Sequence, residues 1–207
     1  MTKINMKIIL TWVLCTAISC GAINFAVAQK LKLGVTVTPT ASILSTSDEL
    51  VQSDGGSLGI VYGLMADYQF SENERYALFT GFTVHHTAGK FKSALEQYKV
   101  AVTILEIPAI FKLNTNQVNL KSYYGQFGFN FGVPISHKTK EGPEDNVNVV
   151  GVLAAINIGA GMHYELVENG VMLNLGLYFD NGFTSIYKIE GQQFRLKHIG
   201  LRAGVYF

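Results

Sequence analysis

Few residues in this chain have the side chains for chemistry, and they are scattered. Lys32, Asp67, Glu106, His163, Asp180, His198 and Arg202 each fall within a stretch of alternating apolar residues, on the small or polar parity. Strand side chains repeat every two residues, so each of these positions lies opposite an apolar face. If the polar faces line one interior, the seven form a buried polar network. Glu106 with Arg202 then reads as an ion pair able to gate a passage or move a proton. Mutual neutralisation is the plainer role, because an unpaired buried charge is costly. His163 and His198 place two imidazoles on that face, short of the three or four ligands a metal requires. His85 and His86 are adjacent, so in a strand they point to opposite faces and cannot chelate one ion together. The Gly-containing run Gly125 to Gly132 sits inside an alternating segment with no helix start after it, which excludes a phosphate loop. The sequence predicts no catalytic, cofactor-binding or metal-binding residue.

The N-terminus indicates a compartment. Lys3 and Lys7 precede an apolar run from Ile8 to about Ile18, and the triplet Ala26-Val27-Ala28 precedes Gln29. That order of charge, apolar stretch and small-residue site predicts a secretory signal peptide over residues 1–28. The run is shorter than the roughly 20 apolar residues of a membrane-spanning helix. Cys20 after Ala17-Ile18-Ser19 leaves a lipoprotein signal as the alternative. Both cysteines, Cys15 and Cys20, lie in this segment, so its removal leaves no disulfide, thiolate metal site or cysteine nucleophile. Removal also shifts the formal charge from +1 to −1, which gives no electrostatic case for nucleic acid.

Residues 29–207 are enough for one domain. No later apolar run approaches transmembrane-helix length. The chain is instead rich in Gly, Phe and Tyr, with only 15% charged residues, as alternating lipid-facing strands require. Eight such segments can be read. Leu31, Leu33, Val35 and Val37 alternate with polar residues over Lys30 to Thr38, followed by a polar stretch from Ser42 to Gly56. The second segment runs from Leu58 to Phe70 and the third from Tyr76 to about His86. The fourth, Tyr98 to Leu113, has Val100, Val102 and Ile104 on one parity but Leu105, Ile107, Ala109 and Phe111 on the other. That change predicts a bulge near Ile104 that flips the faces.

The fifth segment, Leu120 to Val133, presents Tyr123, Phe127, Phe129, Phe131 and Val133, and a charged loop from about Ile135 to Asn148 follows. The sixth alternates from Val150 to Tyr164, and Asn169-Gly170 signals a hairpin into the seventh, Val171 to Asp180. The last sets Ile199, Leu201, Ala203, Val205 and Phe207 against His198, Gly200, Arg202, Gly204 and Tyr206. Connections after the first, third, fifth and seventh segments are long, and the others short. That asymmetry predicts external loops and periplasmic turns. Charges avoid the apolar face except for Lys121, Arg195 and Lys197 near segment ends, where lipid-facing cations are tolerated. The predicted fold is therefore all-β: an eight-stranded antiparallel up-and-down transmembrane β-barrel.

With Leu105-Glu106-Ile107-Pro108 inside the phrase Ile104 to Lys112, the aromatic, Gly-containing segment Tyr178 to Phe183 and a terminal Phe207, the chain resembles the PorT-like outer-membrane β-barrel proteins of Bacteroidetes. The resemblance covers essentially all of residues 29–207. It implies an eight-stranded barrel in the outer membrane and no single activity, although the family name comes from a protein linked to secretion. The last strand also resembles an outer-membrane insertion signal, with Leu201 and Val205 in phase with Phe207, but Arg202 stands where that signal often has Gly. The expected contacts are outer-membrane lipid and lipopolysaccharide, the assembly machinery through the last strand, and an unidentified surface or secretion partner.

The function expected is structural or interactive, with four external loops on display. A small pore or transport component is the alternative. A large pore is disfavoured, because eight strands leave an interior that side chains fill. A lipid A-modifying enzyme, using His86 with a loop serine, is a further alternative that only geometry can recognise. The charged loop His137 to Asp145 is a candidate partner contact, and its plainer role is that of a solvated loop.

Overall fold

A computed structural model describes residues 31–46, 52–53, 56–70, 75–92, 97–141, 148–149, 151–166, 170–189 and 192–207. The predicted signal peptide, its cleavage after Ala28 and the alternative lipidation at Cys20 lie outside the described residues. Each alternating segment becomes one strand: β1 (Leu31–Thr46), β2 (Ser57–Gln69), β3 (Tyr76–Lys92), β4 (Gln97–Asn114), β5 (Lys121–Glu141), β6 (Leu153–Glu165), β7 (Met172–Ile189) and β8 (Gln192–Tyr206). Every strand pairs antiparallel with the one before it, and β8 pairs back onto β1 from Gly34–Tyr206 to Thr46–Phe194. The ring is closed, which removes the unpaired edges that an open sheet would expose. Two short segments add to its rim, Gln52–Ser53 on β3 and Asn148–Val149 on β7.

The apolar parity faces outward. Leu33, Val35 and Val37 on β1, Phe127, Phe129 and Phe131 on β5, and Ile199 and Leu201 on β8 are all exposed. The polar parity faces inward, so the barrel is inverted relative to a soluble domain, as lipid contact demands. An aromatic girdle marks the end that carries the short turns. There Phe111 stacks with Phe70 and Tyr76 at 6.2 and 6.0 Å and meets Phe127 edge-on at 5.5 Å. Lys121 belongs to the same rim, its Nζ 5.8 Å from the Tyr164 ring.

Three expectations about the chain's course are corrected. The stretch from Ser42 and the loop from Ile135 begin as strand: β1 continues to Thr46 and β5 to Glu141. The long and short connections are better described as long and short strand extensions. The β3–β4 hairpin stays paired to Lys92–Gln97 and the β7–β8 hairpin to Ile189–Gln192, so both project beyond the belt as ladder. Finally, β4 does not flip. Val102, Ile104, Glu106, Pro108, Ile110 and Lys112 are all buried, so one face points inward throughout. The irregularity is on the partner strand, where Thr103 pairs with Ser136 and Ile104 with Pro134, leaving Ile135 as the extra residue. Parity misled because the interior becomes apolar toward the external end, where Val102, Ile104 and Ile186 are buried together with the polar groups.

Candidate functional site

The inward faces of all eight strands meet in a filled interior built in three tiers. At the turn end, Lys112 on β4 is fully buried, and its Nζ donates to Asp67 Oδ2 on β2 at 2.9 Å and to the Tyr206 hydroxyl on β8 at 3.1 Å. The same ammonium lies 4.5 Å from the Phe79 ring centre and 4.7 Å from that of Tyr124, an aromatic cage of the kind that stabilises a cation. The Tyr124 hydroxyl donates to Asn174 Oδ1 at 2.8 Å, and the His163 ring lies 4.7 Å from that of Tyr124. Beneath this floor a polar vestibule of about 260 Å³ opens toward the turns, lined among others by Lys32, Asp67, Gln69, Ser122 and His163.

Arg202 forms the middle tier. Its guanidinium sits between aromatic rings, 4.2 Å from Phe79 and 4.8 Å from Tyr178, and Nη1 donates to Gln126 Oε1 at 2.9 Å. Gln126 Nε2 donates to Asn157 Oδ1, and Asn157 Nδ2 to Asp180 Oδ1, both at 2.6 Å. Glycine makes these rings fit. A Cβ at Gly176 or Gly161 would stand 2.3 or 2.4 Å from the Tyr124 hydroxyl, and one at Gly200 2.5 Å from the Tyr178 ring.

The outer tier joins two histidine–carboxylate pairs. His85 Nδ1 lies 2.9 Å from Glu106 Oε1, and its Nε2 lies 3.3 Å from Thr40 Oγ1. His198 Nε2 lies 3.0 Å from Asp180 Oδ2, within ion-pair range but with the ring turned off the line of a hydrogen bond. Asn130 Nδ2 donates to both carboxylates, at 3.2 Å to Asp180 and 3.4 Å to Glu106. The two imidazole rings are 4.7 Å apart.

All seven residues singled out in the sequence line this interior. Asp180 and His198 meet, Asp67 meets Lys112, and Lys32 and His163 line the vestibule. The expected Glu106–Arg202 pair is replaced: Glu106 binds His85 and Asn130, while Arg202 binds Gln126 one tier away. Lys112 and His85 were missed in the sequence, as were the tyrosines and amides that connect the tiers. The signal for Lys112 was its parity, shared with Glu106 along β4. His85 was legible from the apolar partners Leu78, Phe82 and Val84 on the opposite face of β3.

Thr40, His85 and Glu106 follow the order of a nucleophile, base and carboxylate, but Thr40 is 3% exposed and His85 fully buried, which closes the hydroxyl to a substrate in this conformation. His86, on the outward face, instead bonds Tyr62 and Thr103 at 3.0 and 2.9 Å. Among the described residues no group of three or more His, Cys, Asp or Glu could hold a metal ion.

Residues 27–188 match the family described as outer membrane protein beta-barrel domain. The chain belongs to that family. Among solved structures it is similar to the outer membrane protein OprG from Pseudomonas aeruginosa, at 12% identity over 86% of this chain and 96% of that one, with a TM-score of 0.50. It is also similar to Ail, the attachment invasion locus protein of Yersinia pestis, at 13% identity over 85% and 98% with a TM-score of 0.44. Neisserial surface protein A aligns at 16% identity over 84% and 95%, with a TM-score of 0.41. No curated protein matches the chain. At 12% identity the likeness to OprG is one of fold, and the family match makes this an outer-membrane barrel.

Proposed function

We propose that the protein is a closed, non-enzymatic outer-membrane barrel that displays extended hairpins to a surface or secretion partner. The filled interior carries this reading. The Lys112–Tyr206 floor, the Arg202 guanidinium between Phe79 and Tyr178, and the amide-linked His85–Glu106 and His198–Asp180 pairs occupy successive heights of the lumen. Cations Lys32, Lys112 and Arg202 are balanced there by Asp67, Glu106 and Asp180, so the interior charges serve one another. The paired extensions of β3–β4 and β7–β8 supply a firm external surface for a partner. Membership of the PorT-like group of Bacteroidetes, and export by a signal peptide cleaved near Ala28, are parts of the same proposal. They rest on the phrase Ile104 to Lys112 and on Ala26-Val27-Ala28.

The test is conductance of the purified protein in planar bilayers, together with mass spectra of lipid A from cells with and without it. A silent bilayer and unchanged lipid A are expected. Steady ion conductance would instead favour a small transport pore that uses the vestibule, and altered lipid A acylation would favour an enzyme.

A further inference from the structure

On β8 the apolar outward face ends at Ile199 on the external side, while Ile43 on β1 and Phe183 on β7 continue it beside and beyond that height. Ile199 pairs with Phe179 on one flank and with Ala41 on the other. Two residues further out, Lys197 is level with Asn181 and Ile43, and beyond it Arg195 is level with Ser185 and Ser45. Arg195 and Lys197 share the outward face of β8, so their side chains start about 7 Å apart by strand geometry. Arg195 and Asn181 are exposed and Lys197 is half-buried.

Two further features mark this spot. The first concerns counter-charge among the described residues. Among the described residues neither cation makes an ion pair or a side-chain hydrogen bond, and no described carboxylate of β7, β8 or β1 shares their face. Asp67, Glu106 and Asp180 are buried inside, and Glu165 sits at the turn end. The second is a bulge. Between Lys197–Asn181 and Arg195–Ser185, β7 sets Gly182, Phe183 and Thr184 against Leu196 alone. A bulge bends its strand and re-aims neighbouring side chains. Here it falls beside the two cations and Asn181, with Phe183 exposed within it.

We propose that Arg195 and Lys197 hold the phosphate of a phosphorylated glycolipid in the outer leaflet, with Asn181 as a third donor. The acyl chains of that lipid lie along Ile199, Leu201, Phe179 and Leu177, all exposed on the same face. A guanidinium presents two parallel N–H donors to phosphate oxygens, and a lysine adds a point charge. The site lies on the outer wall, so it is independent of whether the hairpins bind a partner.

The experiment uses the full barrel refolded in neutral phosphatidylcholine vesicles and extracted for native mass spectrometry. The probes are bis-phosphorylated lipid A, the same lipid A after phosphatase treatment, and phosphatidylglycerol. Retention of bis-phosphorylated lipid A is expected, at least tenfold above either other probe and reduced at least tenfold in R195Q/K197Q. Both substitutions are on the lipid-facing surface, and an unchanged boiled-versus-unboiled gel shift confirms that the variant is folded. Equal retention of dephosphorylated lipid A, or undiminished retention by the variant, would overturn the proposal. Equal retention of phosphatidylglycerol would overturn the glycolipid assignment by making the site a general anionic-lipid contact.

Discussion

Lys112 and Asp67, 45 residues apart in the chain, meet inside the barrel with Nζ 2.9 Å from Oδ2. Both are buried, and their contact holds an ammonium against a carboxylate away from lipid. Lys112→Met takes from Asp67 Oδ2 its buried ammonium donor, leaving Lys32 opposite it on β1, and is expected to cost about 3 kcal/mol, the lower end of the usual penalty for removing one partner of a buried pair. Adding Asp67→Asn should recover most of that loss, because a neutral pair removes the uncompensated charge. Urea unfolding in vesicles measures both, and a double variant as weak as Lys112→Met would show that the pair does not act as a unit.

The fit between Tyr124 and two glycines is a second constraint. Gly176→Ala would bring a Cβ to 2.3 Å from the Tyr124 hydroxyl, with the next contacts at 3.3 Å or more. Overpacking of this kind costs about 1–3 kcal/mol. Tyr124→Phe removes the clashing oxygen but leaves Asn174 Oδ1 without its donor. The double variant should therefore cost less than the two single costs combined, by about 0.5–3 kcal/mol of coupling. Strictly additive costs would mean that the space at Gly176 is not made for Tyr124.

How much of this was legible in the sequence depended on what each residue had to satisfy. Alternation at Leu31 to Val37, or at Ile199 to Phe207, identifies strands because lipid accepts only one face. The same rule placed Asp67, Glu106, Asp180 and Arg202 inside. It failed at Val102 and Ile104, which are apolar and yet point inward, because the interior toward the external end tolerates hydrocarbon that the lipid face also accepts. Pairing within the interior was not legible. Glu106 has His85 as a diagonal neighbour on the adjacent strand β3, where Thr83 is its register partner, and Arg202 one tier away on β8, and those heights follow from register and shear. Ile135, the extra residue on β5, carries no local mark of its own, since an apolar residue there suits an ordinary outward position equally well.

Outward exposure to lipid can be tested residue by residue. Phe129 lies within the apolar belt and Tyr123 near its turn-side girdle, and both face outward. Phe129→Arg should cost about 2–4 kcal/mol and Tyr123→Arg about 0–1 kcal/mol, because a cation near the interface reaches water. Unfolding from vesicles by urea separates the two. A small cost at both sites would mean that this face does not meet hydrocarbon.

The middle tier is where the barrel should open most readily. Arg202 and Tyr178 stand beside a cavity of about 20 Å³ that Phe79, Glu106 and Asn130 also line. Arg202→Ala with Tyr178→Ala removes two large interior groups from one height and joins their space to that cavity. It also leaves Gln126 Oε1 without its donor, which invites water into the lumen. The unmodified protein should be silent in planar bilayers, and the double variant should pass small ions in discrete steps while still migrating as a folded barrel before boiling. Conductance by the unmodified protein would contradict the filled interior. A folded double variant that stays silent would place the seal at the tiers above and below, in the His85–Glu106 and Lys112–Tyr206 contacts.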